Sequence, residues 1–175
     1  EAIDEADILA NAAAQAAAPG PIKGQINRVW DAAAQAERVG RLGWKANVAS
    51  IAHQTAGAFL GDMGITSPIF PNEACTSAQT DCLAAPHGGG KRGGRAGVVT
   101  AAQANAAQPE IDQATFDDVV FYQATLAPAA RRNANDAQVL RGQALFAHAQ
   151  CATCHRPSYV TKAGPFPHLT SAKAD

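Results

Sequence analysis

Five residues near the C-terminal end, Cys151-Ala152-Thr153-Cys154-His155, constrain this chain more than any other feature. Two thiols three positions apart can serve one rigid group only if the backbone between them makes a helical turn, and the imidazole that follows then projects beside them. A C-x-x-C pair alone suits thiol exchange or zinc. With His directly after it, the pattern reads as covalent attachment of haem c through Cys151 and Cys154, with His155 as the proximal iron ligand. Zinc would want four N/S ligands, and the sequence has neither a second C-x-x-C nor a spaced pair of histidines.

The rest of the chain reads as mainly α with long irregular loops. A first helix is expected from about Ile3 to Ala18, stopped by Pro19-Gly20-Pro21, whose rings and missing N–H groups cannot continue it. Alanine-rich stretches at 12–18, 32–36 and 101–107 also carry high helix propensity. After a connector through Asn27, Trp30 and Arg41-Leu42-Gly43-Trp44-Lys45, a second helix is expected with Asn47 as N-cap. Val48, Ile51, Ala52, Thr55 and Phe59 recur along it at helical spacing, and Gly61 and Gly64 close it. Residues 65–98 read as loop. A third helix is expected from Gln113 to Leu126, ended by Pro128, and a last one from Asn135 or Asp136. On that last helix Val139, Gly142, Phe146 and Ala149 share a stripe that runs straight into Cys151. No strand-like alternation is sustained.

The 175 residues carry a net charge of -1, which suggests neither a nucleic-acid footprint nor an acidic tail. No apolar run approaches the roughly 20 residues that cross a bilayer, so a soluble chain without a membrane span is expected. Of the four cysteines, Cys75 and Cys82 flank a short turn-rich segment and read as a disulfide, with a pair of reduced thiols as the alternative. Covalent haem attachment normally takes place outside the cytoplasm, so a periplasmic or other extracytoplasmic location is expected. The glycine-rich basic run at 88–95 does not match a phosphate loop, because Lys91 is followed by Arg92. It reads as a surface loop able to meet an acidic redox partner.

What haem iron does depends on its sixth ligand: a thioether suits electron transfer, whereas an open position permits peroxide or oxygen chemistry. The single methionine, Met63, lies between glycines in Gly61-Asp62-Met63-Gly64 and is a candidate axial ligand to a haem. His53, His87, His148 and His168 are alternatives. His168 ranks first among them because it follows the haem motif.

Gly142, Leu145 and Phe146 before the motif resemble the entry helix of class I cytochromes c, in which the Phe would line the haem pocket. More of the chain, through Arg41-Leu42-Gly43-Trp44-Lys45-Ala46, Ala58-Phe59-Leu60-Gly61-Asp62-Met63-Gly64-Ile65-Thr66, Phe70-Pro71-Asn72-Glu73 and Leu145-Phe146 to Pro157, resembles the bacterial di-haem oxidoreductases. These are also called thiol oxidoreductase-like proteins or di-haem c-type peroxidases.

The resemblance implies a longer protein with one C-x-x-C-H before Glu1 and a second at Cys151 to His155. Residues 1–130 would then be a helical and loop region between haems, and 131–175 the start of a cytochrome c-like haem domain. One haem c is expected on this chain and a second on the missing part or on a partner, to which Met63 would more naturally be axial. The implied activity is that of a di-haem peroxidase-like oxidoreductase moving electrons between haems, with a redox partner protein or second haem domain. A single-haem electron-transfer subunit of a larger redox assembly is the alternative. Trp44 is expected either as core filling or as an electron relay between haems. Arg41 and Lys45 are either solvated cations or partners of haem propionates. Residues 11–21 lack the Asp- and Gly-rich character of a cation loop, so no calcium is expected there.

Overall fold

The computed structural model describes all residues except 1, 22, 90–98, 101–107, 127–128, 163–172 and 175. It is mainly helical, with five α-helices and three two-stranded ladders among the described residues. The chain divides into two compact units. One is Asn27–Ala124, and the other joins Glu1–Ile26 to Thr125–Asp175. The N-terminal segment groups with Thr125–Asp175, which holds Cys151 to His155: Ile3 bridges Thr161, and Lys162 N–H donates to the Ala2 carbonyl at 3.0 Å.

In the unit that holds both termini, helix α1 spans Glu5–Ala17. Asp4 caps it, accepting from Ala6 N–H at 3.1 Å, and Glu5 and Asp7 place negative charge in the first turn, where the helix dipole favours it. At the other end Lys23 donates its ammonium to the Ala16 carbonyl at 3.0 Å and also to the Ala18 carbonyl, so a cation complements the C-terminal pole.

In the middle unit the expected connector is a β-hairpin, β1 (Arg28–Asp31) antiparallel to β2 (Ala36–Val39), with Arg28 opposite Val39 and Asp31 opposite Ala36. The alanine run at 32–36 is thus its turn and the start of its return strand rather than helix. A side chain overrides propensity here: the Asp31 carboxylate accepts from Ala33 N–H at 3.0 Å, forming an Asx-type turn, and Gln35 closes it at φ 52°. The chain then narrows into a loop held by Leu42 and Val48, with Trp44 at its tip. Gly40 lets that loop close, since a Cβ there would collide with the Ala46 carbonyl.

Helix α2 (Ile51–Ala58) is capped by Ser50, which accepts from His53 N–H at 3.2 Å; Asn47, the expected cap, lies three residues too early. Beyond Ala58 the helix widens into a π-turn, Phe59–Met63, closed by Gly64 at φ 67°. The short helix α3 (Thr80–Ala84) follows, and then the ladder β3 (Pro86–His87) with β4 (Val99–Thr100). Helix α4 (Gln113–Thr125) buries Phe116 against Phe59, with ring centroids 6.5 Å apart. A reciprocal clasp fixes its approach: Glu110 accepts from Thr66 N–H at 2.8 Å, and Thr66 Oγ1 accepts from Glu110 N–H at 3.0 Å.

Helix α5 (Ala137–His148) lies in the unit that holds both termini, and Asp136 caps it by accepting from Gln138 N–H at 2.7 Å. The last ladder pairs β5 (Tyr159–Val160) with β6 (Lys173–Ala174).

Candidate haem-attachment site

The C-x-x-C-H run is built by the way α5 ends. Gln150 takes the left-handed conformation at φ 63°, which breaks the helix and starts a single 3-10 turn, Cys151–Thr153. Cys154 N–H and His155 N–H then both donate to the Cys151 carbonyl, at 3.3 and 2.9 Å. One backbone turn therefore carries both thiols and the imidazole. Both thiols are free and exposed, so the two sulfurs are not joined to each other.

The His155 ring is also exposed and lies against Phe146, with centroids 6.0 Å apart at 60°. Phe146 is itself 45% exposed, and the stripe of α5 that it shares with Val139 and Gly142 is not packed away. Arg156 stacks over the Tyr159 ring at 4.9 Å and shapes the exit from the motif.

This donor set fits a covalently held porphyrin. Thiols add to vinyl groups, a neutral imidazole nitrogen ligates iron, and an exposed aromatic ring beside the imidazole presents an apolar wall. A bare ion asks for something else, namely three or more converging ligands, and no such group of His, Cys, Asp or Glu exists among the described residues.

The remaining candidates fall in different places. Met63 ends the π-turn of the middle unit and is 60% exposed. π-Turns within helices are frequent at functional sites because they push one residue out of register with the helix face. His168 lies outside the described residues, as does the basic run from residue 90 onward. His148 is in the last turn of α5 and exposed.

His53 is occupied in structure: its Nδ1 accepts from Ala32 N–H at 3.2 Å, and its ring meets Phe70 edge-on at 5.5 Å. Cys75 and Cys82 form a disulfide with Cα atoms 5.8 Å apart. Trp44 is fully exposed at its loop tip, so the expectation that it fills a core is corrected: a loop closed over only a few residues has no interior to place it in.

Sequence reasoning passed over two residues. Asp31 is fully buried, accepts from Ser50 Oγ at 2.9 Å and lies 3.8 Å from His53 Nδ1, tying hairpin to helix. Its only sequence signal was an aspartate directly before an alanine run. Gln15, in the alanine face of α1, is 6% exposed and accepts from the Cys154 thiol at 3.3 Å. Nothing in its flanking alanines pointed to a partner 139 residues away.

No helix is long and apolar enough to cross a membrane among the described residues. No curated protein and no solved structure matches the chain. Against this geometry, the sequence profile described as "di-haem oxidoreductase, putative peroxidase" matches residues 1–168, and the chain belongs to that family.

Proposed function

We propose that this chain carries one haem c on thioethers to Cys151 and Cys154, with His155 as proximal iron ligand, as one part of a di-haem peroxidase-like oxidoreductase that moves electrons between haems. The observation that carries this reading is the single turn that presents two free, exposed thiols and an exposed imidazole against Phe146. When bound, haem c supplies a one-electron iron couple, and an open sixth position adds reactivity toward peroxides.

The protein's own contribution is placement. Cys151 and Cys154 would hold the porphyrin through thioethers, His155 would ligate its iron, and Phe146, beside that imidazole, would offer the ring an apolar wall. Met63, exposed at the end of its π-turn, would offer its thioether as an iron ligand to a second haem. His168 would be the alternative iron ligand. The Cys75–Cys82 disulfide supports an extracytoplasmic, periplasmic setting, where such bonds persist and haem c is attached.

Intact mass and absorption spectra of the protein made in a host that attaches haem c test this. The expected result is a covalent mass increase of one haem on this chain, c-type bands on reduction, and reoxidation of the reduced protein by peroxide. Absence of covalent haem sinks the assignment. A low-spin spectrum unmoved by peroxide replaces the enzyme with a single-haem electron-transfer subunit.

A further inference from the structure

We infer that Gln15 is a positioning residue for haem attachment: its buried carboxamide holds the Cys154 sulfur in place for the second thioether and away from Cys151. The inference rests on the haem c reading above and extends it to a residue outside the motif.

Three observations carry it. Gln15 is 6% exposed, and its Oε1 accepts the Cys154 S–H at 3.3 Å, an ordinary length for a thiol donor. Cys151 has no comparable restraint, because its sulfur lies 4.0 Å from the Ala149 carbonyl, at the limit of any such contact. The carboxamide is also cradled: a Cβ on Gly24 would collide with Gln15 Oε1 and approach its Cδ to 3.0 Å. Lys23, beside that glycine, is tied to the Ala16 and Ala18 carbonyls, which fixes the segment against α1. Two positions far from the motif in sequence thus shape a seat for one of its two sulfurs.

The chemistry explains why such a seat matters. Cys154 forms its thioether by adding S–H across a vinyl double bond: a C–S bond forms, the sulfur's hydrogen ends on the neighbouring carbon, and no external oxidant or reductant is needed. The competing reaction of the same thiol is oxidation with Cys151 to a disulfide, with two electrons and two protons passing to an oxidant such as glutathione disulfide. Neighbouring thiols on one turn are prone to that loss. A hydrogen bond that must break before Cys154 can turn toward Cys151 slows the second reaction while keeping the sulfur placed for the first.

The test uses the whole chain in two forms. In the haem-free protein, Gln15→Met keeps length and burial but removes the acceptor. It should raise the rate of Cys151–Cys154 disulfide formation in glutathione disulfide about fivefold, the effect of losing one ordinary hydrogen bond. Gln15→Glu keeps an acceptor oxygen and should stay within about twofold of wild type. Gly24→Ala, which displaces the carboxamide without removing it, should resemble Gln15→Met, and it carries the test if that variant does not fold.

In the haem-loaded protein, Gln15→Met should increase the share of molecules that retain one alkylatable thiol, located at Cys154 by peptide mass. Unchanged oxidation and unchanged thiol count in folded Gln15→Met and Gly24→Ala overturn the inference, as does a Gln15→Glu variant as impaired as Gln15→Met. If wild type takes up no covalent haem, it is the haem reading that fails, and the oxidation measurement still judges Gln15.

Discussion

The two units differ in what they bury. In Asn27–Ala124, Val39, Ala49, Ala56 and Phe116 are buried, and Asp31, Thr55, Thr66 and Ser67 are buried with them. In the unit that holds the C-x-x-C-H run, Leu9, Leu126, Leu140, Leu145, Phe146 and Val160 are all more than a third exposed. Large apolar side chains are exposed in the middle unit too, Trp30, Trp44, Met63, Phe121 and Tyr122 among them, but among the described residues only that unit buries apolar side chains. In the other unit the buried side chains among the described residues, Gln15 and Thr161, are polar, and the large apolar ones stay at the surface. At roughly 25 cal/mol per Å², covering those side chains is worth several kcal/mol. That stabilisation is unrealised until something covers them.

The sharpest break in this comparison comes from the motif. Cys151→Ala with Cys154→Ala should abolish covalent haem completely, read as the loss of the haem mass. Backbone amides of Ala137–His148 should then exchange at least about tenfold faster than in the haem-loaded protein, with Asn27–Ala124 unchanged. Exchange that is equally slow in both forms would show that the exposed face is stable without its group.

A change confined to the middle unit should do the converse. Asp31→Ala removes a buried carboxylate that accepts from Ala33 N–H and Ser50 Oγ and faces Arg38 at 4.0 Å, and should cost about 3 kcal/mol in denaturant unfolding of that unit. Covalent haem should still be found on Cys151 and Cys154.

Replacing Cys75 and Cys82 by Ser should cost about 2 kcal/mol, the entropy of so short a closed loop, measured by the shift in urea midpoint. The smallest effect belongs to Ser50→Ala, about 1 kcal/mol for a lost N-cap. Combined with Asp31→Ala it should be less than additive, because both remove the same 2.9 Å bond. Strict additivity would mean that the two residues do not work as one clasp.

Much of the helical layout was legible in the residues. Pro19 marked the end of α1, Asn135 or Asp136 the start of α5, and the helix expected from about Gln113 is α4, since rings that lack N–H groups stop helices and apolar residues at helical spacing mark them. The hairpin was not legible. Its turn, Ala32 to Gln35, contains none of the Gly, Asn or Pro that usually mark one, and its strands of four residues are too short to show alternation. Asp31 makes the turn through a side-chain bond that spacing does not reveal. The site divides in the same way: Cys151, Cys154 and His155 stand out in one line of text, whereas Gln15 has no local mark at all.

By itself the sequence determined which groups could react and on what turn, because two thiols and an imidazole within five residues restrict one another through covalent geometry. Only the tertiary structure decided which of those thiols is held, by what, and which unit, among the described residues, buries apolar side chains. Such facts depend on contacts across more than a hundred residues, between Gln15 and Cys154 or Ile3 and Thr161, and no periodicity or propensity along the chain encodes them.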